Sequence, residues 1–99
     1  MTKADIVSQI AEQTGMEKHD VQITVEAFML TVRDNVERGD NVYLRGFGSF
    51  IVKTRAEKTG RNILAKKSIR IPAHNIPAFK PAKEFIQNVK SKVAVKAQA

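Results

Sequence analysis

Residues 46–72 constrain the fold most, because they alternate like two strands yet contain little apolar surface to bury. The alternation is confined to the two ends of this segment. One strand face is formed by Phe50, Val52 and Thr54, and another by Ile69, Ile71 and Ala73. Residues 53–70 hold seven basic residues and one acid. The sequence therefore predicts a long two-stranded arm that projects from a compact body. An exposed cationic ribbon of this kind suits the backbone of a nucleic acid.

Charge is divided unevenly along the chain. Residues 1–45 hold five basic and eight acidic residues, and residues 46–99 hold twelve basic and two acidic ones, for a net charge of +7. Scattered charge would serve solubility equally well, so this separation indicates a polyanion contact in the second half. Residues 1–40, with four basic and eight acidic residues, make a poor recognition surface for a helix-turn-helix regulator.

The first half of the chain predicts two helices. Thr2 and Asp5 have the spacing of a capping box for a helix that begins near Lys3, and Gly15 interrupts its apolar stripe. The second helix should run from residues 17–20 to about Arg38. Its apolar residues lie on two sides, so it needs two packing partners. The first helix is one of them, and the sheet or a second copy of the chain is the other.

The second half predicts strands followed by a third helix. Residues 41–45 form a short strand, and Gly46 and Gly48 permit a tight turn or a close approach of backbones. The arm tip should cover residues 59–67, and the return strand residues 68–74. The resulting division is a helical dimerisation part (1–45), a sheet with its arm (46–80), a C-terminal helix that begins near Pro81 (81–91) and a tail (92–99).

Several sequence blocks resemble the bacterial histone-like HU/IHF family of DNA-bending proteins. They are Gly46-Phe47-Gly48-Ser49-Phe50, Arg55-Ala56, Gly60-Arg61-Asn62, Ile71-Pro72-Ala73 and Phe79-Lys80-Pro81. The resemblance extends to about Val89 and implies an α+β fold. A helical body with a short antiparallel sheet and a protruding β-ribbon arm would form an intertwined dimer, with each arm in a minor groove of duplex DNA.

The resemblance and the charge pattern together name the expected site residues. The DNA-binding candidates are Lys3, Ser49, Lys53, Arg55, Lys58, Arg61, Asn62, Ile63, Lys66, Lys67, Arg70, Lys80 and Lys83. The dimer-interface candidates are Val25, Phe28, Val32, Phe47, Phe50 and Phe79. Family arms usually carry a wedging proline where this chain has Ile63, and isoleucine can also serve as an apolar wedge. Asn62 either contacts base edges or closes the turn.

The expected function is that of an architectural protein that bends or compacts duplex DNA with little sequence preference. A site-preferring IHF-like factor and an RNA-binding module are the alternatives. We expect a homodimer, or a heterodimer with a paralogue, in the cytoplasmic nucleoid. With no cysteine and two distant histidines, and with no catalytic motif, the sequence predicts no metal, cofactor, membrane span, small-molecule substrate or enzymatic activity.

Overall fold

The computed structural model describes residues 1–62 and 67–95, with side chains for residues 1–60 and 69–95. Its elements, in chain order, are α1 (Lys3–Thr14), α2 (Lys18–Glu37), β1 (Val42–Leu44), β2 (Gly48–Arg55), β3 (Lys58–Asn62), β4 (Lys67–Ile71), β5 (His74–Pro81) and α3 (Lys83–Lys92). The predicted α+β class is confirmed. A radius of gyration of 19.2 Å, against about 13 Å for a compact domain of this length, reflects the protruding ribbon.

Local signals in the sequence set the ends of α1. The Asp5 backbone N–H donates to Thr2 Oγ1 at 3.3 Å, and Asp5 Oδ2 accepts from the Thr2 backbone N–H at 2.9 Å. This second hydrogen bond lowers the pKa of the Asp5 carboxyl. Gly15 ends the helix in the left-handed region, with a φ of 76°. The predicted capping box and the predicted break are both confirmed.

Two antiparallel sheets follow one another along the ribbon. The inner sheet has the strand order β1-β2-β5, and the outer sheet pairs β3 with β4. The prediction of one return strand over residues 68–74 is wrong. Pro72 and Ala73 separate β4 from β5, and β5 continues to Pro81. Proline cannot donate a ladder hydrogen bond, which accounts for the break. The predicted tip was too broad, because outer pairing extends to Asn62 opposite Lys67.

Gly46 lies in the connection from β1 to β2, and Gly48 is the first residue of β2. The Phe47 backbone N–H donates to the carbonyl of Leu44 at 2.9 Å, which closes a β-turn with Gly46 at its third position and a φ of 81°. Gly48 serves a different purpose. A Cβ at Gly48 would lie 2.6 Å from the carbonyl oxygen of Lys80 and 2.6 Å from the Phe79 ring. The predicted turn and the predicted close approach are therefore both present.

One face of the inner sheet is apolar and packs toward α2. On this face Phe50 pairs with Phe79, and Val52 pairs with Pro77. Phe79 is central to an aromatic cluster, with ring centroids 4.9 Å from Phe50, 5.2 Å from Phe47 and 6.4 Å from Phe85. Tilted ring pairs at these distances are favourable beyond their buried area. The cluster holds α3 against the sheet.

The helix α3 begins later than the sequence predicted. Pro81 ends β5 and pairs with Gly48, so the first helical residue is Lys83 and the last is Lys92. The Ala82 backbone N–H donates to the carbonyl of Phe47 at 3.0 Å, which anchors the start of α3 at the β1–β2 turn. The prediction erred because proline is common at a helix start, whereas this one completes an edge strand.

A single chain leaves much of its apolar surface uncovered. Among the described residues, Val7 and Val21 alone are buried hydrophobic residues, while the side chains of Phe28 and Leu30 on α2 are both 48% exposed. An open cleft of about 770 Å³ lies between α2 and the apolar face of the sheet, lined in part by Val32 and Phe50. The core of one chain is therefore incomplete.

We predict that Gly48→Ala strongly destabilises the fold. The new methyl group would press against a backbone carbonyl and the central ring of the aromatic cluster, and overpacking of this kind costs about 1–3 kcal/mol. Chemical denaturation would measure the loss. Gly60→Ala is the matched control, since its Cβ would meet nothing nearer than the Ile69 carbonyl oxygen at 3.9 Å. Equal losses for the two variants would contradict this explanation.

Candidate nucleic-acid interface

The second face of the inner sheet carries polar and basic side chains on either side of Ile51. Residues alternate between the two faces of a strand, so Ser49, Lys53 and Arg55 of β2 point away from the apolar face. Lys80 pairs directly with Ser49 and shares their face, and Tyr43 pairs with Ser49 from the other side. Lys53 and Arg55 are exposed. Four of the predicted DNA-binding residues therefore lie on one surface.

A shallow cleft at the body end of this face adds two more basic side chains, those of Arg45 and Lys83. Its lining includes Tyr43, Arg45, Ser49, Lys80 and Lys83. Lys83 is the first residue of α3, so the positive end of the helix dipole also faces this region. The cleft therefore brings together three basic side chains and two hydroxyls, with the Glu84 carboxylate beside Gly46 at its edge. The excess of positive charge suits a phosphate group.

Arg45 is a member of this cleft that the sequence-based prediction did not include. It was assigned only to the end of the first strand, whereas it occupies the second position of the β1–β2 turn and is exposed. A signal was available, because Arg45 directly precedes the Gly46-Phe47-Gly48 block. The sequence could not show that Arg45 lies near Lys80 and Lys83, because this proximity depends on the packing of β5 and α3.

The outer sheet carries further cations. Lys58 pairs with Ile71, and Thr59 pairs with Arg70. The Arg70 guanidinium forms an ion pair with the carboxylate of Glu57, the acid between β2 and β3. The backbones of Arg61, Asn62 and Lys67 belong to the outer strands. The predicted residues Ile63 and Lys66 lie outside the described part of the chain.

Lys3 is placed apart from the sheet. It lies at the start of α1, and its Nζ is 2.9 Å from Oε1 of Glu26 on α2. The hydrogen bond from Lys3 lowers the pKa of the Glu26 carboxyl. Lys3 is therefore part of an exposed ion pair of the helical body, and the described contacts do not group it with the cations of the cleft.

Tyr43 is the aromatic residue on the basic face, whereas three predicted phenylalanines lie away from it. Phe47, Phe50 and Phe79 belong to the aromatic cluster on the opposite side of the sheet. Single-strand binders use exposed rings as stacking platforms for bases, whereas Phe47 and Phe50 each pack against the Phe79 ring. The three rings pack together, although Phe47 and Phe79 stay 46% and 39% exposed in the single chain. Within the described residues, no group of three or more histidines, cysteines or acids could hold a metal ion.

None of the helices in the described ranges is long and apolar enough to cross a membrane.

Comparisons with known proteins agree with this geometry. The family model "Bacterial DNA-binding protein" matches residues 1–90. Among curated proteins, the DNA-binding protein HU of Thermus thermophilus is 43% identical over 90 residues, which cover 91% of this chain and 93% of the relative. HU of Clostridium pasteurianum is 38% identical over 89 residues, or 90% and 98% of the two chains.

A solved structure is similar over nearly the whole chain. The HU chain of an Anabaena HU–DNA cocrystal structure aligns with a TM-score of 0.84 at 33% sequence identity. The alignment covers 95% of this chain and 100% of the Anabaena chain. The similarity therefore includes the helical body and the ribbon together.

We predict that Arg45→Gln weakens retention on immobilised heparin, a generic polyanion. Arg45 lies beside Lys80 and Lys83, so its removal lowers the positive potential where the cations converge. The salt concentration at elution is the measurement. Arg38→Gln is the matched control, because Arg38 lies at the end of α2 and donates to Asn35. Equal shifts in elution would mean that net charge alone governs retention.

Proposed function

This chain belongs to the bacterial DNA-binding protein family that includes the HU proteins, and on that premise we propose how its surface engages DNA. It is a non-enzymatic, HU-type architectural protein that binds duplex DNA without marked sequence specificity. The observation that carries the proposal is the shared face of Ser49, Lys53, Arg55 and Lys80, continuous in the chain with the cationic outer strands.

The inner and outer parts of this surface have different roles in the proposal. Arg45, Ser49, Lys80 and Lys83 bind phosphates at the body. The arm follows the minor groove through the remaining predicted residues, namely Lys53, Arg55, Lys58, Arg61, Asn62, Lys66, Lys67 and Arg70. Arginine suits a narrow minor groove because of its strong negative potential. Lys3 adds a weaker contact, since it must first leave Glu26.

Low sequence specificity follows from the kinds of side chain available. Lysine and arginine contact phosphates that are the same in every sequence. Few amides stand in the basic surface to read base edges, Asn62 being the exception among the predicted contacts. Any preference of the protein for particular DNA sites should therefore come from the shape and deformability of the DNA. A site-preferring IHF-like factor would instead need direct contacts to particular bases.

We predict a steep salt dependence of duplex-DNA binding. The seven basic residues from Lys53 to Arg70 would release enough counterions to lower affinity by roughly 10³ to 10⁴ between about 50 mM and about 200 mM salt. Gel shifts on linear, nicked and pre-bent DNA, with duplex RNA as competitor, provide the measurement. A flat salt response would refute the phosphate contacts. Preferred binding of duplex RNA would favour an RNA-binding module.

The uncovered apolar surface supports a dimer. Phe28 is half-exposed on α2, and Val32 and Phe50 line the open cleft against the sheet. Val25 lies on the same helix, and Phe47 and Phe79 are both more than a third exposed in the single chain. We propose that a second copy of the chain, or a paralogue, covers these residues and that the dimer resides in the cytoplasmic nucleoid.

We predict an obligate dimer whose folding depends on Val32. Val32→Asp would place a charge in the apolar cleft and unfold the chain rather than release a stable monomer. Sedimentation at micromolar concentration and circular dichroism are the measurements. Thr31→Asp is the control, since Thr31 is exposed on the same helix. A compact wild-type monomer that unfolds cooperatively would contradict the dimer.

The proposed wedge is Ile63, which follows directly after the last residue of β3 in the chain. Kinking DNA costs several kcal/mol, and an apolar side chain offsets some of this by filling the opened base step. Isoleucine is bulkier than proline and restricted at χ1 because of its β-branch. We therefore propose that Ile63 enters the step, less deeply than proline would.

We predict that Ile63→Ala reduces the bend angle and keeps most of the affinity. The substitution removes no charge, so counterion release is unchanged. Ile63→Pro should preserve or increase bending. Energy transfer between the ends of a labelled duplex reports the bend, and affinity is measured at the same salt concentration. If the bend is the same in Ile63→Ala and in the wild type, Ile63 is not the wedge and Leu64 becomes the next residue to test.

A further inference from the structure

The ribbon contains a joint between its inner and outer sheets. The inner pairing ends with Arg55 opposite His74, and the outer pairing begins with Lys58 opposite Ile71. Two residues on each side, 56–57 and 72–73, belong to neither sheet, and all of them are described. Because hydrogen-bonded pairs stiffen a two-stranded ribbon, this interruption is a natural place for it to change direction.

A side-chain ion pair spans this joint. Glu57 lies in the joint on one strand, and Arg70 lies in β4 on the other, opposite Thr59. The Arg70 Nε–H donates to Oε1 of Glu57. The contact therefore links the joint to the outer sheet across the ribbon. The Glu57 side chain is 46% exposed and the Arg70 side chain is 77% exposed, so solvent and ions reach both.

Glu57 is an unusual residue in this position. It is the one acid in residues 46–83 of the sequence, which hold nine basic residues. A carboxylate in an arm that lies on DNA repels phosphates. Its partner Arg70 cannot contact the carboxylate and a phosphate with the same guanidinium edge. The ion pair uses the Nε edge, so a phosphate that binds at this edge competes with Glu57 for Arg70.

The competition favours phosphate. An exposed arginine–carboxylate pair is weak and is screened by salt. A guanidinium that binds a DNA phosphate gains a comparable contact and also releases a condensed counterion. The carboxylate that is left behind is solvated at once, because Glu57 is already exposed.

We propose that Glu57 is a positioning residue, which holds the Arg70 guanidinium at the joint in the free protein and yields it to a DNA phosphate in the complex. The inference rests on the proposed DNA binding by the arm. The exchange breaks one ion pair and forms another, and Glu57 then attracts a cation from solution. Arg70 therefore contributes less to net ion release than an arginine without an acidic partner.

The test is Glu57→Gln, which keeps the shape of the side chain and removes its charge. We expect tighter duplex-DNA binding, by about two- to fivefold for each arm engaged. The slope of log affinity against log salt should steepen by about 0.9 per chain. Glu12→Gln is the matched control, because Glu12 is an exposed acid on α1 and its loss changes net charge equally.

A double-mutant cycle separates the ion pair from general charge effects. Arg70→Gln should weaken binding. In the Arg70→Gln background, Glu57→Gln should then change affinity and slope no more than Glu12→Gln does. Thermal unfolding of each variant verifies that the fold is intact, which is expected because both side chains are exposed.

The outcomes distinguish this inference from the function on which it rests. If Glu57→Gln matches Glu12→Gln in the wild-type background, or binds more weakly than wild type, the inference is overturned while salt-dependent DNA binding still stands. If the wild-type chain shows no salt-dependent affinity for duplex DNA, both the proposed function and the inference fail. An enhanced affinity that disappears with Arg70 supports the exchange.

Discussion

The pairing of β2 with β5 is the interaction on which the rest of the structure depends. This one register places Phe50 opposite Phe79 on the side of the helices, and Ser49 opposite Lys80 on the other side. Because side chains alternate strictly, a slip by one residue would turn the cations inward and the aromatic rings outward. Gly48 fixes the register at the body end, since the Lys80 carbonyl and the Phe79 ring leave no room for a Cβ.

Much of this architecture could be predicted from the sequence, because it is encoded by local rules. The Thr2–Asp5 capping box, the turn at Gly46 and the two-faced alternation of β2 depend on neighbours within a few residues. The break in the return strand was not predicted. The alternation of apolar and polar residues continues in the sequence through Pro72, whereas the hydrogen-bonded strand pairing stops at Ile71 and resumes at His74. The start of α3 was placed two residues early for a related reason, since Pro81 fits a strand end and a helix start equally well.

The site was harder to predict than the fold, because its members converge only in three dimensions. Charge asymmetry located the basic half, and alternation placed Lys53 with Arg55. Neither rule could place Arg45 in one cleft with Lys80 and Lys83, because that arrangement requires the β1–β2 turn to meet the start of α3. Nor could sequence reveal that Lys3 is engaged by Glu26, since the spacing of two residues on different helices carries no pairing signal.

The distribution of acids gives the charge asymmetry a physical consequence. The acidic residues are concentrated in the helical half, whereas the exposed face of the sheet carries lysine and arginine. A polyanion is repelled by the first surface and attracted by the second, so the field of the protein orients the encounter before contact. The acids of the helices thus act by exclusion at long range, and Glu26 also holds Lys3 in an ion pair within the helical body. Glu57 differs from them because it lies within the attractive surface itself, where a carboxylate can act only through the cation that it contacts.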